Sequence, residues 1–201
     1  MHISDGILSP YIIGIGWAIA LPTLGVSLRH LRTDQVSTYG VIAAAFFAGS
    51  TIHVSVGPFS MHLVLSGMTG LMLGWGALTV ITVGLLLQAL FIGFGGLTVL
   101  GVNISIMALP GAIMGVIGRS WMKQSSPKRR PWIGSFTGGG TILISATLLY
   151  GTLSTTRTAL MPLAKLVFLG HIPVAFVEGT ISFWLVHFLQ KVKPSLLGVS
   201  S

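Results

Sequence analysis

The sequence predicts an all-α integral membrane protein of about seven transmembrane helices, and three observations carry that prediction. Only 7% of the 201 residues are charged and 52% are hydrophobic, whereas soluble domains carry about 25% charged residues. Apolar runs near the roughly 20 residues that a bilayer crossing needs recur at 10–28, 37–52, 61–76, 78–95, 104–121, 133–155 and 164–190. The few charges collect in the segments between those runs.

The runs can be taken in order. The first, starting at Tyr11, ends before Arg29 and Arg32; the second carries Gly40, Ala44 and Ala48; the third is short for a crossing. The fourth leads into GFGGLTVLGVN (93–103), which is too rich in glycine for a helix and too apolar for a solvent loop. A broken backbone at membrane depth must be satisfied by protein or a polar site, so this stretch is predicted to be re-entrant, with Gln88 capping the break. Arg119, Lys123, Lys128, Arg129 and Arg130 close or follow the fifth run, four of them within the basic loop WMKQSSPKRRPW (121–132); Lys191 and Lys193 follow the seventh. Small residues four apart, at Gly14/Ala18, Gly16/Ala20, Gly70/Gly74 and Gly111/Gly115, allow close helix approach within the bundle.

Eleven Lys and Arg against three acids give a net charge of +8. An odd number of crossings puts nine of those cations on one side, leaving Arg157 and Lys165 on the other. The positive-inside rule makes the nine-cation side cytoplasmic, with the N-terminus outside and the C-terminus inside. The basic loop then reads as a topology signal in contact with anionic lipid, not as a nucleic-acid site. No repeat or composition shift divides the chain, so residues 1–201 form one transmembrane domain with 1–10 as an outer N-terminal segment. MHISDGILSP has no basic leader region and no small-residue cleavage site follows it, so Met1 is expected to be the mature end.

Few polar groups remain to do chemistry. Cysteine is absent, which excludes thiolate sites and disulfides. His2, His53 and His62 fall on the outer face with Asp5 and Asn103, and several histidines on one face suit a transition metal. The Met1 amine, the His2 backbone nitrogen and the His2 Nδ1 follow one another along the chain, so together they can close two fused chelate rings. Loss of the amide proton requires a strongly Lewis-acidic ion that favours planar nitrogen fields, which points to Ni²⁺ or Cu²⁺, with low-spin Co²⁺ also possible. A fourth nitrogen would come from His62 or His53, with the Asp5-Gly6 turn bringing the segment back onto the bundle.

His171 and Glu178 lie two turns apart on nearly one face of the last run. They read as a buried hydrogen-bonded pair, or as a proton or ion path. No GxxxxGK[ST] occurs, so the chain does not hydrolyse ATP itself. No Ser–His pair, paired carboxylates or H-E-x-x-H suggests an enzyme. A self-sufficient proton-coupled transporter or channel is the alternative to a subunit driven by a partner.

MHISDG, IHVSVGPFSMHLVLSG (52–67), LLLQALFIGFGGLTVLGVN (85–103) and GHIPVAFVEG (170–179) resemble the CbiM/NikM family, the substrate-capturing membrane subunits of energy-coupling-factor (ECF) transporters for cobalt and nickel. The resemblance implies a bacterial or archaeal cell membrane and Ni²⁺ or Co²⁺ as transported substrate, with no permanent cofactor. Its metal ligands would be the Met1 amine, two nitrogens of His2 and the loop histidine, which falls on His62. Asp5 and Asn103 would support them. GPFSMH departs from the family's longer loop and leaves the part played by His53 open. The resemblance also implies a coupling membrane subunit (CbiQ/NikQ-like), an ATPase subunit (CbiO/NikO-like) and a small membrane subunit (CbiN/NikN-like).

Overall fold

The structure is a computed structural model that describes residues 2–51, 53–56, 59–156 and 158–199. Ser9 opens α1 (Pro10–Arg29) by accepting the Ile12 amide, Pro10 sits at the first turn and Arg29 closes the last. These are the residue types that suit the two ends of a helix. After α2 (Val36–Ser50) come two short antiparallel strands, β1 (His53–Val56) and β2 (Phe59–His62), with His53 opposite His62. Then follow α3 (Ser66–Leu73), α4 (Gly76–Phe91), α5 (Leu100–Asn103), a single π-helical turn at Ile104–Ala108, α6 (Leu109–Lys123), α7 (Arg130–Thr156) and α8 (Met161–Val192).

Among the described residues, four stretches are long and apolar enough to cross a membrane: Pro10–Arg29, Leu100–Lys123, Arg130–Thr156 and Thr158–Val192. Gly76–Phe91 is a shorter apolar helix. The chain is therefore a multi-pass membrane protein built of helices, with one small hairpin added. Two expectations need correction. The run at 61–76 is not a transmembrane helix: it is the end of β2, an irregular turn and the eight-residue α3. Eight residues span about 12 Å, well short of the ~30 Å hydrocarbon core. Within 93–103, the last four residues, Leu100–Asn103, are helical and run on into α6. Only the part before them is irregular.

α3 is enclosed on all sides. Ser66 through Leu71 are buried, and glycines bring their neighbours to backbone contact. A Cβ on Gly67 would lie 2.6 Å from the Thr137 carbonyl of α7, and one on Gly70 would lie 2.0 Å from the Gly111 carbonyl of α6. Gly16 likewise sits against Val102, whereas Gly14 and Gly40 face open space. The small-residue pattern is thus spent partly inside the bundle. Helix ends leave orphan amides and carbonyls, and α3 has charged partners for both. Glu178 of α8 accepts the Val64 and Leu65 amides at one end. The Nη1 of Arg119 on α6 donates to the Leu71 and Met72 carbonyls at the other, at 3.2 and 2.6 Å. Each charge has the sign that the adjoining helix end favours.

Gly115→Ala would place a methyl 2.1 Å from the Gly70 carbonyl carbon. Overpacking of this kind costs about 1–3 kcal/mol. Thermal melts in detergent should show Gly115→Ala strongly destabilised and Gly14→Ala unchanged.

Candidate metal centre

The polypeptide ahead of α1 is packed against the bundle: His2 is 2% and Ile3 0% exposed. Asn103 binds it like the edge of a strand. The Ile3 amide donates to Asn103 Oδ1 at 3.0 Å, and Asn103 Nδ2 donates back to the Ile3 carbonyl at 3.1 Å. The Asp5 carboxylate accepts from the Thr98 hydroxyl and from the Val99 amide. The irregular glycine-rich stretch is the surface on which this segment rests. Gly95 has φ +79°, and a Cβ there would lie 2.8 Å from Asn103 Nδ2 and 3.6 Å from His2 Cβ. A Cβ on Gly96 would overlap the Asp5 carboxyl at 2.1 Å. Only residues without a side chain let the two segments come this close.

His2 meets His62 here. Their Nε2 atoms are 2.7 Å apart, and the rings stack with centroids 4.8 Å apart and an interplanar angle of 17°. Burial pushes His2 well below the ordinary imidazole range, and His62, buried with no carboxylate bonded to it among the described residues, is neutral beside it. Neutral imidazole has one N–H and one lone pair, and the hydrogen bonds say where each lies. His62 Nδ1 is 2.8 Å from the Leu63 carbonyl, which can only accept, so the proton of His62 is on Nδ1 and its lone pair on Nε2. His2 must then donate through Nε2–H, and its lone pair is on Nδ1. A metal–nitrogen bond of ~2.0 Å places adjacent corners of a planar field ~2.8 Å apart. The two rings already approach within that span.

His53 is exposed; its Nδ1 donates to the Thr51 carbonyl at 3.0 Å, and among the described residues it has no hydrogen bond to His2 or His62. Phe94, not picked out by the sequence analysis, joins all three histidines. It is near-parallel to His2 and His62, with centroids 6.0 and 6.2 Å away, and edge-on to His53 at 4.5 Å. Its one sequence signal is being the only aromatic inside the glycine-rich stretch. The Phe94 amide donates to the backbone carbonyl of Gln88, while both polar atoms of the Gln88 side chain lack partners among the described residues. Gln88 thus meets this break through its main-chain carbonyl.

His171 and Glu178 bind different partners. His171 Nδ1 donates to the Val167 carbonyl one turn earlier, and its Nε2 has no partner among the described residues; Glu178 binds the amides ahead of α3. Met1, the remaining predicted ligand, lies outside the described residues. Among the described residues no three His, Cys, Asp or Glu side chains are grouped to hold a metal. The arrangement offers two imidazoles and the backbone nitrogens beside them.

Residues 2–196 match a family described as the cobalt uptake substrate-specific transmembrane region, CbiM. The chain belongs to the CbiM family. A Haemophilus influenzae protein named for metal transport is 36% identical over 98% of this chain and 97% of its own length. The cobalt transport protein CbiM of Sorangium cellulosum is 32% identical over 98% and 94%. A crystal structure of a truncated transition metal transporter superposes with a TM-score of 0.83, covering 96% of this chain and 99% of that one at 22% identity; this likeness shows the shared fold.

Removing the Asn103 amide leaves a buried donor and acceptor on Ile3 unpaired, which costs about 1–3 kcal/mol. Asn103→Ala should therefore loosen residues 2–8 and leave the helices folded. Limited proteolysis should then cut the chain ahead of α1 faster, with little change in helical circular dichroism.

Proposed function

We propose that this CbiM-family chain captures Ni²⁺ or Co²⁺ at the His2–His62 contact and is the substrate-specific subunit of an ATP-driven ECF importer. The observation that carries the reading is the distribution of lone pairs. His2 Nδ1 is the ring nitrogen that can close a six-membered chelate with its own backbone nitrogen, and His62 Nε2, on a separate segment, lies 2.7 Å from the other nitrogen of that ring. With Met1 as the first residue of the mature chain, its amine would supply the third donor and the deprotonated His2 amide nitrogen the fourth. Loading breaks the Nε2–Nε2 hydrogen bond and turns the His2 ring to present Nδ1. His53 supports the loop, and Asp5 and Asn103 hold the N-terminal segment to its seat. A planar four-nitrogen field suits Ni²⁺ and low-spin Co²⁺, in keeping with relatives named for cobalt and nickel transport.

The N-terminal segment would lie on the outer side and the C-terminus in the cytoplasm. Arg32, Arg119 and Lys193 line one cavity at the end of α3 away from His62, which supports that orientation under the positive-inside rule. In this reading the fourth pass is followed by a re-entrant segment at 93–99, and the third pass consists of extended chain plus α3. Release of a tightly chelated ion needs work, which the ATPase and coupling subunits supply. A small membrane subunit completes the assembly; the relatives named as fused nickel transport proteins NikMN are compatible with one.

Isothermal titration with Ni²⁺ tests the chelate. A single residue added ahead of Met1 converts the amine to an amide, so high-affinity binding should be lost, and His2→Ala should do the same. His62→Ala should cost more affinity than His53→Ala, whose loss belongs in the ~10–100-fold range of supporting residues. Equal affinity of the extended and native chains would sink the chelate.

The coupling claim has its own test. Cells expressing the chain alone should accumulate little Ni²⁺ or Co²⁺, and co-expression of the coupling and ATPase subunits should restore uptake. Robust uptake into liposomes by the lone chain, driven by a proton gradient, would favour the self-sufficient transporter instead.

A further inference from the structure

Glu178 is fully buried and lies on α8, far along the chain from either proposed histidine ligand. The sequence offers it His171 as a partner, yet its carboxylate is spent on backbone. Oε1 accepts from the Val64 amide, and the Leu65 amide reaches Oε1 at 2.8 Å and Oε2 at 3.0 Å. The Val64 N–H belongs to the same peptide group as the Leu63 carbonyl, and that carbonyl is the one that accepts from His62 Nδ1 at 2.8 Å. In a trans peptide the N–H and C=O point in opposite directions. One peptide group therefore stands between the carboxylate and the imidazole with a hydrogen bond at each of its two opposite edges. The unbroken chain of contacts is Glu178 carboxylate, 63–64 peptide, His62 Nδ1–H, His62 Nε2, His2.

We propose that Glu178 is a positioning residue for metal capture, acting on His62 through the 63–64 peptide as a carboxylate–peptide–histidine relay. The proposal rests on His62 being a ligand, as argued above. Metal-binding histidines commonly donate their second ring N–H to a carboxylate or carbonyl, which fixes the tautomer, orients the ring and raises ligand basicity. Here both acceptor types act in series. The carboxylate draws on the peptide N–H and makes the peptide carbonyl a stronger acceptor, since hydrogen bonds in a chain polarise one another. That carbonyl then holds the His62 proton on Nδ1 and leaves Nε2 as the donor atom. The setting favours the relay twice over. The amides bound are those just ahead of α3, where the helix dipole favours an anion. Leu65, with φ +52°, is the only non-glycine residue of positive φ among those described, so the turn adopts a backbone that needs an external hold.

The test is a double-mutant cycle on Ni²⁺ affinity, measured by titration calorimetry on the full-length chain with its native N-terminus. Glu178→Gln keeps the size of the side chain but sets a donor amide against two N–H groups. It should weaken binding ~10–100-fold, the range for groups that orient a ligand. His62→Ala keeps three nitrogens and binds weakly; adding Glu178→Gln to it should change nothing further, because the relay then has no histidine to act on. Ser182→Ala, one turn along α8, should leave affinity unchanged. If Glu178→Gln does not fold, Glu178→Asp enters the same cycle, with a smaller loss expected. Unchanged affinity in Glu178→Gln, or the same loss with and without His62, would overturn the relay while leaving the chelate standing. Insensitivity to both His2→Ala and His62→Ala would overturn the chelate and take the relay with it.

Discussion

A helix that begins and ends inside an apolar bundle must find partners there for its orphan backbone groups, because no water is at hand to take them. This constraint falls on α3, and the rest of the molecule is arranged around it. α8 supplies a carboxylate for the amides just ahead of it and α6 a guanidinium for its last carbonyls. Glycines on α3 and α6 give up side chains so that the backbones touch. Neither charge is easily dispensed with: an unpaired buried N–H costs as much as a lost hydrogen bond, and a lone buried charge costs more. The length of α3 follows from the same argument. A helix long enough to reach the outer face would occupy the space in which the turn at 63–65 now offers its peptide groups, N–H to Glu178 and C=O to His62.

The N-terminal segment is held by a different device. Residues 2–9 have no regular structure of their own; Asn103 binds the Ile3 backbone, and Thr98 and Val99 bind the Asp5 carboxylate. The seat is glycine because the approach leaves no room for a Cβ. Two independent supports therefore converge on one nitrogen–nitrogen contact, His2 from the seat and His62 from the cap of α3, with Phe94 packed against both rings. A site assembled from two segments can be opened by moving either, without unfolding the long helices. That property suits a protein that must hold an ion tightly and later release it.

The long helices were legible because each is a continuous apolar run bounded by charge, as with α1 ahead of Arg29. The histidines were legible because few other groups in so apolar a chain can bind metal. α3 was not: SGMTGLMLGWGALTV is uninterrupted in its apolar character, and what sets its start is a carboxylate 113 residues away. Glu178 was legible as a buried acid but not by its partner, since a side chain that binds backbone leaves no complementary residue to find. The same holds for Phe94 and Gln88. The ring acts by stacking, and Gln88 meets the break through its main-chain carbonyl, which any residue carries.

The central claim is that His2 and His62 share one ion. Copper loading of the native-N-terminus chain, with its histidines ¹⁵N-labelled in the ring, tests it by electron paramagnetic resonance. The nitrogen couplings of Cu²⁺ count the imidazoles in the first coordination sphere. The account predicts two labelled ring nitrogens in the native protein and one after His62→Ala. A native spectrum with one labelled nitrogen or none, or two that persist after His62→Ala, would contradict it.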